Sequence, residues 1–163
     1  MRTPRLSQSM TGWRRALAVC GGVVLIDQVT KAIVVATIPV DEHRDLALGF
    51  SFTNSANTGL AFGIGGGHGV VLAVTIAALA LVLLWFALDP ARPGLWLAVG
   101  LLAGGALGNL ADRVRADAVT DFIDPPFWPA FNLADVAITL GAVWLLLASL
   151  GAESHGGAER WRA

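Results

Sequence analysis

The chain of 163 residues is 55% hydrophobic and only 14% charged, whereas a soluble globular domain carries roughly 25% charged residues. Its formal net charge of −1 provides no basic surface that would attract nucleic acid, so we expect no nucleic-acid partner. Cys20 is the only cysteine, which excludes an intrachain disulfide and a cysteine-ligated metal. The three histidines lack metal-binding spacing, and we therefore expect a protein without metal or other cofactor.

Four segments are apolar enough to cross a membrane as helices, which takes about 20 mostly apolar residues. They lie at about 14–38, 69–88, 94–110 and 133–150, and they predict an all-α membrane protein with a single domain over residues 1–163. The first segment could instead be a cleaved signal peptide. It is too long for that, and Asp27 and Lys31 interrupt it, so we interpret it as an uncleaved helix. Four such segments also disfavour a soluble protein with buried helices.

The arginines predict how these helices are oriented, because cytoplasmic flanks of membrane helices carry an excess of positive charge. With four spans, Arg44, Arg113 and Arg115 flank one side, and the other seven arginines flank the opposite side. Both termini are therefore expected in the cytoplasm, with the loops at 40–67 and 111–132 outside. Residues 50–54 alternate as in a strand, which predicts a small β-rich extracytoplasmic cap.

Two acidic residues, Asp121 and Asp135, lie at the predicted outer boundary of this membrane protein. Ionisable residues at membrane depth are costly and usually mark a functional site. Two carboxyl groups at close range do not both ionise, so one can act as a general base while the other donates a proton. This combination suits amide hydrolysis. The alternative for Asp135 is a purely structural role as a cap of the fourth helix.

Further polar residues stand where they could support this pair. Asn109 and Arg113 are four residues apart, hence on one side of a helix end, and Asn132 precedes Asp135 by three residues. Arg113 could alternatively extend to lipid headgroups, as arginines near membrane surfaces often do.

Asp27 and Lys31 are also four residues apart, and we interpret them as an ion pair that supports the site rather than as catalytic groups. Asn57 and Gly59 are by themselves typical of a turn. A row of small residues predicts close packing of the third helix against its neighbours, and it consists of Gly100, Gly104 and Gly108.

Taken together and in order, five motifs resemble those of the type II, or lipoprotein, signal peptidases of bacteria. They extend from the first predicted helix into the fourth, and they are Asp27-Gln28-Val29-Thr30-Lys31, Asn57-Thr58-Gly59-Leu60-Ala61-Phe62, Gly108-Asn109-Leu110-Ala111-Asp112-Arg113, Val119-Thr120-Asp121-Phe122-Ile123 and Phe131-Asn132-Leu133-Ala134-Asp135. Each motif alone is weakly specific, whereas the ordered set is highly specific. Leu60, where the family often has alanine, and the loop from Gly65 to His68 depart from the pattern and bear on pocket shape rather than chemistry.

The resemblance implies a four-helix aspartyl endopeptidase of the bacterial inner membrane, with its active site near the outer surface. Its expected substrates are prolipoproteins whose cysteine carries diacylglycerol, and cleavage falls before that cysteine. We further expect a monomer whose other partners are membrane lipids. By position, Asp121 and Asp135 match the catalytic pair, and the supporting positions are Asn57, Asn109, Arg113, Asn132, Asp27 and Lys31.

Two other classes of protein remain as alternatives. A small proton-coupled transporter could relay protons through Asp27, Asp121 and Asp135, although acids near the midplane of the membrane would suit that role better. A non-catalytic scaffold could pack through the glycine-rich third helix, which leaves the Asn and Asp clusters unexplained. The sequence does not assign the base and the acid within the pair, because coupled carboxyl groups titrate as a unit.

Overall fold

The computed structural model describes residues 3–59 and 68–157, and this part of the chain is mostly helical. The helices are α1 (Thr3–Thr37), α2 (His68–Leu88), α3 (Leu95–Ala116) and α4 (Leu133–Gly157), and the strands are β1 (His43–Asp45), β2 (Ser51–Asn57) and β3 (Val119–Asp124). Three stretches are long and apolar enough to cross a membrane, namely Ser7–Thr37, Gly69–Leu88 and Leu95–Ala116. A fourth apolar stretch, Leu133–Ala148, is shorter. The departures expected at Leu60 and Gly65–Gly67 lie outside the described residues.

Helix α3 lies at the centre of the helical bundle and contacts α1, α2 and α4. The predicted close packing depends on its glycines. A Cβ atom on Gly100 or Gly104 would lie 2.7 Å from the Cβ of Val19 or Val23 of α1. Gly105 faces α4 instead, where a Cβ would collide with the carbonyl oxygen of Ala134. Backbones therefore approach closely on both sides of α3, and they bring its polar end against α1 and α4.

Helix α3 continues to Ala116, beyond the end that its apolar residues predict. The additional turns contain Asp112, which forms an ion pair with Lys31 of α1. Because these charges are satisfied by a neighbouring helix, the helix does not have to end where its apolar stretch ends. It stops at Asp117, which has a left-handed backbone (φ 57°) and donates its N–H to the carbonyl of Arg113.

The three strands form an antiparallel sheet in the order β1-β2-β3, which confirms the small β-rich cap. Strands β2 and β3 come from the two predicted outer loops, so both loops lie at the same end of the bundle. The register pairs Ser55 with Asp121 and Asn57 with Val119, after an irregularity between Phe52 and Ser55. The end of β2 is thereby placed beside the start of β3.

Two apolar clusters hold the ends of the molecule together. At the end away from the sheet, Phe86 and Val99 pack with Ala16, and Trp13 meets Phe86 edge to face with ring centroids 4.7 Å apart. At the other end, Phe122 of β3 packs with Val34 of α1 and with Ile38, the residue that follows this helix. In contrast, the large apolar side chains of α2, such as Leu81 and Leu84, are exposed, as expected for a helix that faces lipid.

Candidate active site

Asn132 connects the two acidic residues that the sequence singles out. Its side-chain Nδ2 donates to Asp121 Oδ1 at 2.6 Å, and its backbone N–H donates to Asp135 Oδ2 at 3.2 Å. Asp121 lies on β3 and Asp135 in the first turn of α4, so the junction between the sheet and α4 brings the two carboxyl groups together. Asn132 is itself completely buried, which fixes this geometry.

Asp121 is almost fully enclosed, with 2% of its surface exposed. Asn57, at the end of β2, donates its Nδ2 to Asp121 Oδ2 at 2.8 Å, and the Asn57 Oδ1 accepts the N–H of Gly59 at 2.8 Å. Burial raises the pKa of Asp121, and the negative charge of Asp135 raises it further, whereas the hydrogen bonds from Asn57 and Asn132 and the charge of Lys31 lower it. The effect of burial is the largest, so this carboxyl group holds its proton more firmly than usual.

Asp135 caps helix α4, as the structural alternative expects, and it also faces the site. Asn132 precedes α4, and its Oδ1 accepts the N–H of Asp135 at 3.0 Å while Asp135 Oδ2 accepts the N–H of Asn132. This reciprocal arrangement is a capping box. The other oxygen, Asp135 Oδ1, accepts the Nδ2 of Asn109 at 2.8 Å. One oxygen therefore anchors the helix, and the other belongs to the polar cluster.

Behind Asp135 lies a buried network that joins α1 to α3. The predicted ion pair between Asp27 and Lys31 is present, with 2.9 Å between Asp27 Oδ2 and Lys31 Nζ. The same Nζ contacts Asp112 Oδ2 at 2.7 Å and Asn109 Oδ1 at 2.9 Å. Gln28 donates to Asp112 Oδ1 at 2.9 Å.

Two of these residues, Gln28 and Asp112, are absent from the set of site residues predicted from the sequence. Gln28 adjoins Asp27, and Asp112 adjoins Arg113, within the motifs already noted. The signal that could have identified them is the cost of a buried lysine, which requires more than one acceptor.

Cavities with largely apolar walls open on both sides of Asp135. One of about 350 Å³ lies among α2, α3 and α4, and Asn109 and Arg113 contribute its polar lining together with Asp135. The other, of about 340 Å³, is lined by Asp135, by Trp128 and Phe131 before α4, and by further residues of α4. Arg113 also donates to the carbonyl of Asn109 at 3.5 Å. A substrate with apolar portions can thus reach a polar centre.

A family model for signal peptidase (SPase) II matches residues 19–151. The chain belongs to the signal peptidase II family. The lipoprotein signal peptidase of Pelotomaculum thermopropionicum is 44% identical over 132 residues, which cover 77% of this chain and 86% of the relative. That of Dehalococcoides mccartyi is 40% identical over 150 residues, 86% of this chain and 90% of the relative.

Solved structures agree with this assignment. Two chains described as bacterial membrane enzymes superpose with TM-scores of 0.72 and 0.77 at 31% and 32% identity. The superpositions cover 83% and 86% of this chain, and 92% and 90% of the solved chains. The resemblance noted from the five motifs is therefore confirmed, and the chain is a membrane-embedded peptidase. Nothing in these comparisons supports the transporter.

Proposed function

We propose that this chain is an aspartyl endopeptidase that removes signal peptides from diacylglyceryl-modified prolipoproteins, with cleavage before the lipidated cysteine. Membership of the signal peptidase II family supports the substrate class. The single observation that supports the aspartyl mechanism is the position of Asn132, which contacts both Asp121 and Asp135. These two residues are the proposed catalytic groups.

The proposed chemistry divides two roles between the two carboxyl groups. The ionised one takes a proton from water, and the resulting hydroxide attacks the scissile carbonyl while the protonated one donates to its oxygen. When the tetrahedral intermediate collapses, the C–N bond breaks, and the first carboxyl group passes the proton that it took from water to the leaving nitrogen. The second carboxyl group recovers its proton from a hydroxyl group of the intermediate, so both return to their starting states. The products are a signal peptide with a new carboxylate and a lipoprotein with a free amino group on its lipidated cysteine. The raised pKa of Asp121 favours this residue as the proton donor.

The supporting residues are proposed to shape and orient the pair. Asn57 and Asn132 hold Asp121, and Asn109 holds Asp135. Arg113 lines the cavity among α2, α3 and α4, where it could bind the substrate backbone. Asp27 and Lys31 support the site from α1, through contacts with Ala134 and Asn109 respectively. The chemistry needs no metal or cofactor.

For the membrane arrangement, we propose four spanning helices in the bacterial inner membrane, with both termini in the cytoplasm and the site on the outer side. Helix α4 is included although its apolar stretch is the shorter one. The exposed Phe127 and Trp128 suit the membrane interface, where aromatic side chains are enriched. A monomer in contact with membrane lipids suffices, because one chain supplies every proposed site residue.

Purified protein in detergent and a diacylglyceryl-modified prolipoprotein provide the test, with loss of the signal peptide followed as a gel shift. Asp121→Asn and Asp135→Asn should each reduce cleavage at least about a hundredfold, because an amide neither accepts nor donates the required proton. Asp27→Asn should retain more activity, since its remaining carbonyl can still accept the N–H of Ala134. Chelator should have no effect.

Asp89→Asn is the matched control, because it makes the same chemical change at an exposed residue between α2 and α3. It should cleave at the wild-type rate. Absence of cleavage by folded wild-type protein would refute the proposed function, and full activity of both site variants would refute the aspartyl mechanism.

A further inference from the structure

Lys31 is the only lysine in a chain that has ten arginines, and it is 4% exposed. An ammonium group has three N–H donors and no acceptor. Its three partners are Asp27 Oδ2, Asp112 Oδ2 and Asn109 Oδ1, all within 2.9 Å of Nζ. Three oxygen atoms of the protein therefore surround the ammonium group, so that Lys31 does not need substrate or water as a partner.

The third of these contacts determines which way the amide of Asn109 points. An asparagine amide has an oxygen and a nitrogen of similar size, and either could face a given neighbour. Because the ammonium of Lys31 can only donate, the oxygen must face Lys31. The nitrogen is then directed to Asp135 Oδ1, at 2.8 Å. In the flipped orientation, the amide nitrogen of Asn109 would face the ammonium of Lys31, donor against donor. Its oxygen would face the carboxylate of Asp135, acceptor against acceptor.

Asp27 contacts the backbone next to Asp135. Its Oδ1 accepts the N–H of Ala134, the neighbour of Asp135, at 3.0 Å. Gly108 makes this possible, because a Cβ at that position would lie 2.6 Å from Asp27 Oδ2. Helix α1 thus contacts the surroundings of Asp135 by two routes, one through Asn109 and one through the first turn of α4.

We propose that Lys31 is a positioning residue for Asp135, which orients the amide of Asn109 so that its N–H binds the carboxylate without any contact between Lys31 and substrate. This inference deepens the proposed function and rests on it. Without the ammonium, Asn109 can turn its oxygen toward Asp135, and an ionised Asp135 would be repelled. A higher pH is then required to reach the active protonation state.

Other charged groups lie around Asp135, and the choice of variants has to account for them. They come from α1, α3 and β3, whereas α2 and β2 have no Asp, Glu, Lys or Arg, and they belong to Asp27, Lys31, Asp112, Arg113 and Asp121. Removal of Lys31 alone leaves the buried carboxylate of Asp27 and the half-buried carboxylate of Asp112 without their cation, which can unfold the protein. The double variant Lys31→Met with Asp112→Asn preserves the net charge of the network.

The experiment measures kcat and KM for prolipoprotein cleavage against pH in wild type, in Lys31→Met and in this double variant. Both variants should lose about tenfold or more in kcat with KM within about threefold, because a group near the reacting atoms is misplaced. The acidic limb of the pH profile should move up by about one pH unit. Asp112→Asn alone keeps the contact between Lys31 and Asn109 and removes a negative charge, so its acidic limb should not move up.

Arg14→Met serves as a second control, since it removes one exposed cation from the same helix. A purely structural role for Lys31 would lower the amount of folded enzyme and leave the pH profile where it is. If wild type cleaves and the folded double variant has the wild-type acidic limb, the inference alone is overturned. If folded wild type does not cleave, the proposed function and this inference fall together.

Discussion

Asp121 and Asp135 occupy unlike environments although both are carboxyl groups of one cluster. Asp121 is buried on a strand and receives two side-chain amides, whereas Asp135 is partly exposed and belongs to a capping box. The sequence identifies this pair because acids at a membrane boundary are unusual. It does not reveal their difference, since the burial of Asp121 arises only when β3 packs between β2 and the start of α4.

The raised pKa of Asp121 predicts a pH dependence of stability. The folded state binds this proton more tightly than the unfolded state, so the free energy of unfolding should fall as pH rises from the ordinary value of 3.8 to the raised one and then level off. Each unit by which the pKa is raised corresponds to about 1.4 kcal/mol. Asp121→Asn removes this contribution.

Thermal unfolding of both proteins in detergent, between about pH 4 and pH 8, provides the measurement. The stability of wild type relative to Asp121→Asn should decrease over this range. A difference that does not change with pH would contradict the raised pKa.

Among the helices, the contact between α1 and α3 depends on the absence of side chains at the α3 glycines. Gly104→Ala would place a Cβ 2.7 Å from the Cβ of Val23 and should destabilise the protein by about 1–3 kcal/mol through overpacking. Gly21→Ala in α1 is the matched control, because a Cβ there would meet nothing within 4 Å. It should be neutral or slightly stabilising, since alanine favours helix more than glycine does. Thermal unfolding in detergent distinguishes the two, and equal effects would contradict this packing.

The helices themselves are predictable from their apolar content, but the end of α3 is not. From the sequence, its polar last turns resemble a loop. In the structure they are held against α1, because Asp112 pairs with Lys31 and Arg115 donates to the side-chain oxygen of Gln28 at 2.6 Å. The alternation at residues 50–54 similarly predicts a strand but not its partner. Only the observed register with β3 brings Asn57 to Asp121, and register depends on contacts between segments distant in sequence.

For the molecule as a whole, the sheet and the proposed active site lie at one end of the bundle, and the turn between α2 and α3 lies at the other. The arginine distribution predicts that the sheet faces outward. In a Cys20→Ser background, a single cysteine at Asp45→Cys should react with a membrane-impermeant maleimide on intact cells, whereas one at Asp89→Cys should react only after permeabilisation. Both positions are exposed, so the comparison reports sidedness rather than burial. The opposite pattern would invert the proposed topology.

The burial of Lys31 has a consequence for chemical probing of this protein. The sequence contains no other side-chain amine, and the folded chain keeps this one behind Asp27, Asp112 and Asn109. Acylating reagents and amine-directed cross-linkers therefore find no lysine to modify while α1 and α3 stay in contact. Modification of Lys31 becomes a footprint of the separation of these two helices, recorded at a single atom beside the proposed active site.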